Sequence, residues 1–162
     1  MSDISRTSTM PTNSHKKPKL FEGGIAADQR GQVSFVNGFG FEDVVRFYMV
    51  ENSAEEPIRA FHGHMKEAKY VFVPSGSALV AAVKLDDAKT PSTLEIPERF
   101  VLSAKKPSVL FIPGGYANGF RALEANTRVI FFATASVEES KADDYRFPHD
   151  YWGSDVWSTE GL

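Results

Sequence analysis

The run Arg59-Ala-Phe-His62-Gly-His64-Met-Lys-Glu67-Ala-Lys69-Tyr70 holds the densest group of reactive side chains in the sequence. His62 and His64 are two residues apart, so in an extended strand they project from the same face. Two imidazoles with a carboxylate shortly after them are compatible with two kinds of chemistry. They could form a metal site, or they could form a general base with its orienting partners. The cations nearby, Arg46, Arg59 and Lys69, and further along Arg121, suit an anionic ligand, because guanidinium groups can hold phosphate oxygens in bidentate fashion.

The elements that must position these residues read as short β-runs: 31–36, 43–50, 57–63, 68–73, 77–85, 107–112, 117–123 and 127–135. Turn chemistry separates them at Asn37-Gly38, Pro74-Ser75-Gly76, Asp86-Asp87, Thr90-Pro91-Ser92 and Pro113-Gly114-Gly115. Strands at near-regular spacing, with no long helical period between them, predict an all-β antiparallel sandwich or jelly roll whose barrel encloses a pocket. Residues 1–18 are polar, Lys- and Pro-containing and without apolar period, so they read as a disordered arm, with 19–162 as the folded domain. His15 is excluded from the site on that ground. The segment from Val137 is polar and acidic and then closes on Tyr145, Phe147, Tyr151, Trp152 and Trp157. It is expected to form a short helical or irregular segment across the barrel mouth or against a second subunit.

Composition narrows the function. A chain of 162 residues can bury a core without covalent staples, and with no cysteine it has neither a disulfide nor a thiolate site or nucleophile. A net charge of -3 gives no general attraction to a polyanion, so nucleic acid is not an expected partner. No apolar stretch is long enough to span a bilayer and no secretory leader is legible, so the expectation is a cytoplasmic protein without a membrane partner.

The first block is similar to the H-x-H and Glu of metal-binding cupins, supplied here by His62, His64 and Glu67. The second metal motif, P-x-G-x-x-H, reads Pro113-Gly-Gly115-Tyr-Ala-Asn118, with Asn at the place of the histidine. Asn is a poor transition-metal ligand beside imidazole, so no metal and no cofactor are expected. The fuller resemblance is to cupin-type sugar-nucleotide enzymes. The 3,5-epimerases that act on dTDP-4-dehydrorhamnose have R-G-x-H-x-Q, a following Lys, and I-P-x-G-x-A-H-G-F. This chain has Arg59 to His64, Lys69, and Ile112-Pro113-Gly-Gly115-Tyr-Ala117-Asn118-Gly119-Phe120. Six of the nine positions of that last block match, which makes it the more specific of the two. The dTDP-4-keto-6-deoxyglucose 3,4-ketoisomerases resemble the chain too, at Asp28-Gln-Arg30-Gly31, Arg46-Phe-Tyr48, Arg59 to His64, and Asp144-Tyr145-Arg146-Phe147.

The resemblance implies a cupin jelly roll and a homodimer. It also implies a nucleotide-linked 4-keto-6-deoxyhexose as substrate and proton abstraction next to the ketone. It makes His62 the base, Lys69 or Arg59 the holder of the enolate oxygen, and Asp150 or the adjacent His149 the group that orients the base. His64 falls where the ketoisomerases have their second histidine. Arg46, Arg59 and Arg121 become candidates for the diphosphate, with Tyr116 and Asn118 lining the pocket. The epimerases carry a Tyr as general acid where this chain has Phe131, so Tyr48, Tyr70 or Tyr116 must substitute. Three outcomes follow: 3,5-epimerase-like chemistry, 3,4-ketone migration, or a non-catalytic cupin that only binds a sugar nucleotide.

Overall fold

The computed structural model describes residues 15–53 and 57–162. Most of the expected arm, residues 1–14, lies outside the described residues; His15 sits beside Phe21, with ring centroids 6.1 Å apart.

The described residues form twelve strands: β1 (Lys19–Glu22), β2 (Gly24–Asp28), β3 (Gly31–Phe35), β4 (Arg46–Glu51), β5 (Ile58–His64), β6 (Lys69–Ser75), β7 (Ser77–Lys84), β8 (Glu98–Ser103), β9 (Ser108–Ile112), β10 (Tyr116–Ala122), β11 (Arg128–Ala133) and β12 (Tyr145–Arg146). They form two five-stranded antiparallel sheets, ordered β1-β9-β6-β11-β4 and β12-β5-β10-β7-β8, with β2 and β3 as a separate hairpin. This is the all-β jelly roll expected from the sequence.

The two sheets bury their facing sides against each other through Val71, Val73, Ala78, Val80, Ala82, Leu110 and Val129. On β7 the even-numbered residues face this interior. The odd-numbered Leu79, Ala81 and Val83 pack outward against Phe147, Trp152 and Trp157 of the C-terminal segment. Burial on both faces explains why β7 reads as an unbroken apolar run and not as an alternation. The other sheet is covered on its outside as well, where Tyr70 and Phe111 meet Phe21, Phe39 and Val44 from the N-terminal part of the chain.

Two departures from the sequence reading have simple causes. The strand expected at 43–50 begins only at Arg46, and Asp43 sits at φ 57, a left-handed conformation that cannot enter a ladder. The strands β1, β2, β8 and β12 were not foreseen. β8 opens on the charged pair Glu98-Arg99 and has only the three apolar residues Phe100, Val101 and Leu102, while β1 and β12 are too short to show a period. A helix does follow β11: α1 (Val137–Ala142), whose N-terminus is fixed by a capping box between Ser136 and Glu139.

Candidate active site

One end of the barrel opens into a cavity of about 340 Å³, a size suited to a small polar ligand. Strand β4 sends Arg46, Tyr48 and Val50 into it at period two, while Phe47 and Met49 between them point outward and are exposed. Lys69, the first residue of β6, enters from the same sheet, and so does Phe131 of β11.

Strand β5 faces them with Arg59, His62 and His64. Arg59 and His62 are an odd number of residues apart and should lie on opposite faces. They share one because of a bulge: Asn118 pairs with His62, but Phe120 pairs with Arg59, so β5 carries one extra residue there. Gly119 makes this crowding possible, since a Cβ on it would stand 2.7 Å from Cα of Ala60 and 2.8 Å from the Arg59 carbonyl oxygen. The glycine and asparagine of the Ile112–Phe120 block therefore have structural reasons: Gly119 lets β10 approach β5, and Asn118 is buried in the cavity wall opposite His62.

His62 has its pKa lowered to about 4, first by burial and then by the positive charges of Lys69 and Arg146, with the Asp144 carboxylate opposing them. At neutral pH it is an uncharged imidazole able to accept a proton. His64 is also lowered, again first by burial and then by Lys69, while Glu67 and Asp143 push it upward. Its Nδ1 lies 2.6 Å from the Asp143 carbonyl oxygen. A carbonyl can only accept, so Nδ1 carries the hydrogen and Nε2 is left as the free nitrogen.

Asp143, at the C-terminal end of α1, does more than fix this tautomer. Its carboxylate accepts hydrogen bonds from the backbone N–H groups of Met65, Lys66 and Glu67, at 2.9, 2.8 and 3.2 Å, which ties the turn after β5 to α1. These bonds hold its carboxyl below the usual carboxylate range, against a desolvation effect that would raise it. Lys69 is buried and, among the described residues, forms no salt bridge. Its ammonium lies over the rings of Tyr48 and Phe131, 5.8 and 5.5 Å from their centroids. Tyr48 and Phe131 are stacked across the β4–β11 pair at 5.2 Å, so the tyrosine brings a hydroxyl to the cavity beside the position where Phe131 has none.

Among the residues expected from sequence, the cavity brings together His62, His64, Lys69, Tyr48, Arg46, Arg59 and Asn118. It does not include Asp150, Tyr116 or Arg121. Asp150 is exposed in a turn whose carbonyl accepts from Gly153 N–H. Tyr116 packs in the barrel core, and Arg121 donates to the Trp157 carbonyl oxygen at 2.7 Å. Of the other tyrosines considered, Tyr70 is fully buried on the outside of its sheet and accepts a hydrogen bond from Glu42 N–H. The acidic group beside His62 is Asp144, ion-paired with Arg146 at 3.1 Å. Both reach the cavity because β12 pairs with β5, placing Arg146 opposite His62. The sequence shows the Asp144–Phe147 segment as part of the ketoisomerase resemblance, without a role for its side chains. Sequence reasoning missed Ser140 and Lys141 of α1 on the cavity rim. Among the described residues no three His, Asp or Glu side chains are placed to hold a metal ion.

In this jelly-roll barrel a neutral histidine, a buried lysine and a tyrosine converge on one small cavity, an arrangement suited to acid–base chemistry. Residues 20–150 match the dTDP-4-dehydrorhamnose 3,5-epimerase family, and the chain belongs to that family of dTDP-sugar epimerases and isomerases. It is 33% identical over 109 residues to the spore coat polysaccharide biosynthesis protein SpsL of Bacillus subtilis, covering 64% of this chain and 68% of that protein. Among solved structures it is similar to ChmJ, a 3'-monoepimerase from Streptomyces bikiniensis in complex with dTDP-quinovose. That likeness has a TM-score of 0.72 at 17% identity and covers 93% of this chain and 80% of that one. It is also similar to QdtA, a sugar 3,4-ketoisomerase from Thermoanaerobacterium thermosaccharolyticum in complex with TDP. There the TM-score is 0.61 at 16% identity, over 85% of this chain and 93% of that one. At such identities both likenesses establish the fold alone.

Proposed function

We propose that the protein epimerises a nucleotide-linked 4-keto-6-deoxyhexose at C3, next to the ketone. The observation that carries this reading is the neutral His62 in the same cavity as Lys69 and Tyr48. His62 takes the C3 proton, and the electron pair moves onto the ketone oxygen as an enolate. The Lys69 ammonium stabilises that charge, in a site already built to hold it. Tyr48 then gives a proton to C3 from the other side. Exchange with water resets both groups. Arg46 and Arg59 serve the diphosphate, and Asp144 supports the charge that His62 acquires. Polysaccharide biosynthesis is the setting suggested by the SpsL relative.

The presence of His64 in the same cavity favours a second reading, 3,4-ketone migration, in which His64 handles the second proton. Incubation with dTDP-4-keto-6-deoxyglucose in deuterated water separates the readings. Epimerisation gives deuterium at C3 with inversion, and migration gives a 3-keto product. The absence of exchange at C3 and C5 on every nucleotide-linked 4-keto sugar tried, with binding retained, would leave the non-catalytic sugar-nucleotide binder. A homodimer belongs to this proposal, supported by the exposed Val45, Phe47 and Met49 along the β4 edge. So does a cytoplasmic location; among the described residues no helix is long and apolar enough to cross a membrane.

A further inference from the structure

Glu67 is almost wholly buried, yet its Oε2 has no hydrogen-bond partner among the described residues. A buried carboxylate oxygen without a donor is costly to keep. Its surroundings suggest what it is for. Oε2 lies 3.5 Å from Nδ1 of His64, slightly beyond a hydrogen bond, and Oε1 lies 3.4 Å from Nη2 of Arg46. The same Nδ1 donates to the Asp143 carbonyl oxygen. The imidazole is therefore held on its far side by a carbonyl and a carboxylate, with Nε2 as the nitrogen left for the cavity it lines.

We propose that Glu67 is a positioning residue that acts through His64, its buried carboxylate stabilising the imidazolium that forms when Nε2 takes up a proton in the cavity. This deepens the second reading above, 3,4-ketone migration, and rests on it, since it makes the His64–Glu67 pair the second place where a proton is held during the reaction. Its proton balance is simple: Nε2 receives a proton from substrate or water and returns it to substrate, and the Nδ1 hydrogen stays in place.

The groups facing His64 act in opposite directions. Lys69 on β6 disfavours its charged form, while His62 on the same strand as His64 is uncharged at neutral pH. Glu67 and Asp143, from the turn after β5 and the end of α1, favour it. Arg46 on β4 sits behind Glu67 and holds its other oxygen. Without Glu67 burial and Lys69 act on His64 with only Asp143 opposing them. A role in packing alone would not need the charge.

The test is Glu67→Gln in the full chain, which keeps the shape and removes the charge. Imidazole nitrogen NMR should show the midpoint of His64 falling by about one unit or more, the effect of losing an opposite charge at this distance. At fixed pH that is about a tenfold loss of imidazolium. The alkaline limb of kcat should move down in pH by the same amount, with KM held. An unchanged midpoint, or a lower kcat with an unmoved pH profile, overturns the proposal. The wild-type tautomer is a second measurement that needs no variant. Hydrogen on Nδ1 of neutral His64 supports the pair, and hydrogen on Nε2 overturns it. Neither NMR experiment uses substrate. If the wild type exchanges no substrate proton while Glu67→Gln still lowers the His64 midpoint, the pair stands and only the proposed reaction fails.

Discussion

The two faces of β5 are both covered, but by different chemistry. The outer face presents Phe61 and Gly63 to the C-terminal aromatics, with Phe61 at 4.9 Å from Trp152 and 5.3 Å from Trp157 between ring centroids. Gly63 leaves the room they need, since a Cβ there would meet Phe147 at 3.1 Å and Leu85 at 3.0 Å. The inner face presents His62 and His64 to a cavity lined by charge. The outer face stabilises through apolar area removed from water, whereas the inner face accepts the unfavourable burial of ionisable groups for the sake of chemistry. One segment serves both. Residues 143–157 cover the outer face with Phe147, Trp152 and Trp157, and they reach round to the cavity with Asp144 and Arg146 and to the back of His64 with Asp143.

This contrast predicts that outer substitutions lower stability and inner ones lower turnover. The largest stability effect is expected from Trp157→Ala. It removes a ring buried to 2% exposure and the hydrogen bond from its Nε1 to the His149 carbonyl oxygen. Chemical denaturation should show a loss of about 3 to 5 kcal/mol, with turnover per folded molecule retained. Lys69→Met should behave in the opposite way. Turnover should fall about 10²- to 10³-fold, the usual cost of losing a group that stabilises an oxyanion. Stability should hold or rise, because a buried cation with no salt-bridge partner among the described residues is replaced by an apolar chain of similar length. A Lys69→Met protein that unfolds readily but turns over normally would break the comparison.

Tyr48→Phe sharpens it within the cavity. Loss of the general acid should cost about 10²-fold or more in inverted product. Deuterium exchange at C3 through His62 should persist, a split readable by mass spectrometry and proton NMR of the same sample. The smallest effect is one of pH on stability. His62 binds a proton less readily folded than unfolded, so the unfolded state takes up more protons between about pH 6.5 and about 4 and stability falls as pH drops through that window. His62→Asn should reduce the difference in melting temperature between pH 7.5 and pH 5.

The jelly roll was legible because its longer strands carry unambiguous apolar runs between Gly and Pro turns, as in β7, β9 and β11. The short strands and the Asp43 turn were not, since they depend on pairing and on backbone conformation. In the site, His62, His64, Lys69 and the Arg46–Tyr48 pair could be read from motif and from period two. The shared face of Arg59 and the histidines could not, because it depends on a bulge that only the register reveals. The sequence points to Asp150 or His149 as the group beside His62, whereas the carboxylate there is Asp144, because the β12 segment pairs with β5 through Phe147 before the chain turns away. For Glu67 the sequence leaves a metal ligand and an orienting partner of a base both open, since nothing in its spacing indicates that it lies buried between Arg46 and His64.

The central claim is that His62 is the base, and isotope exchange tests it most directly. The wild type and His62→Asn are each incubated with dTDP-4-keto-6-deoxyglucose in deuterated water, and deuterium at C3 is followed over time. The account predicts steady incorporation by the wild type and a loss of about 10²- to 10⁴-fold in its rate for the folded variant. Incorporation by His62→Asn at the wild-type rate would contradict it.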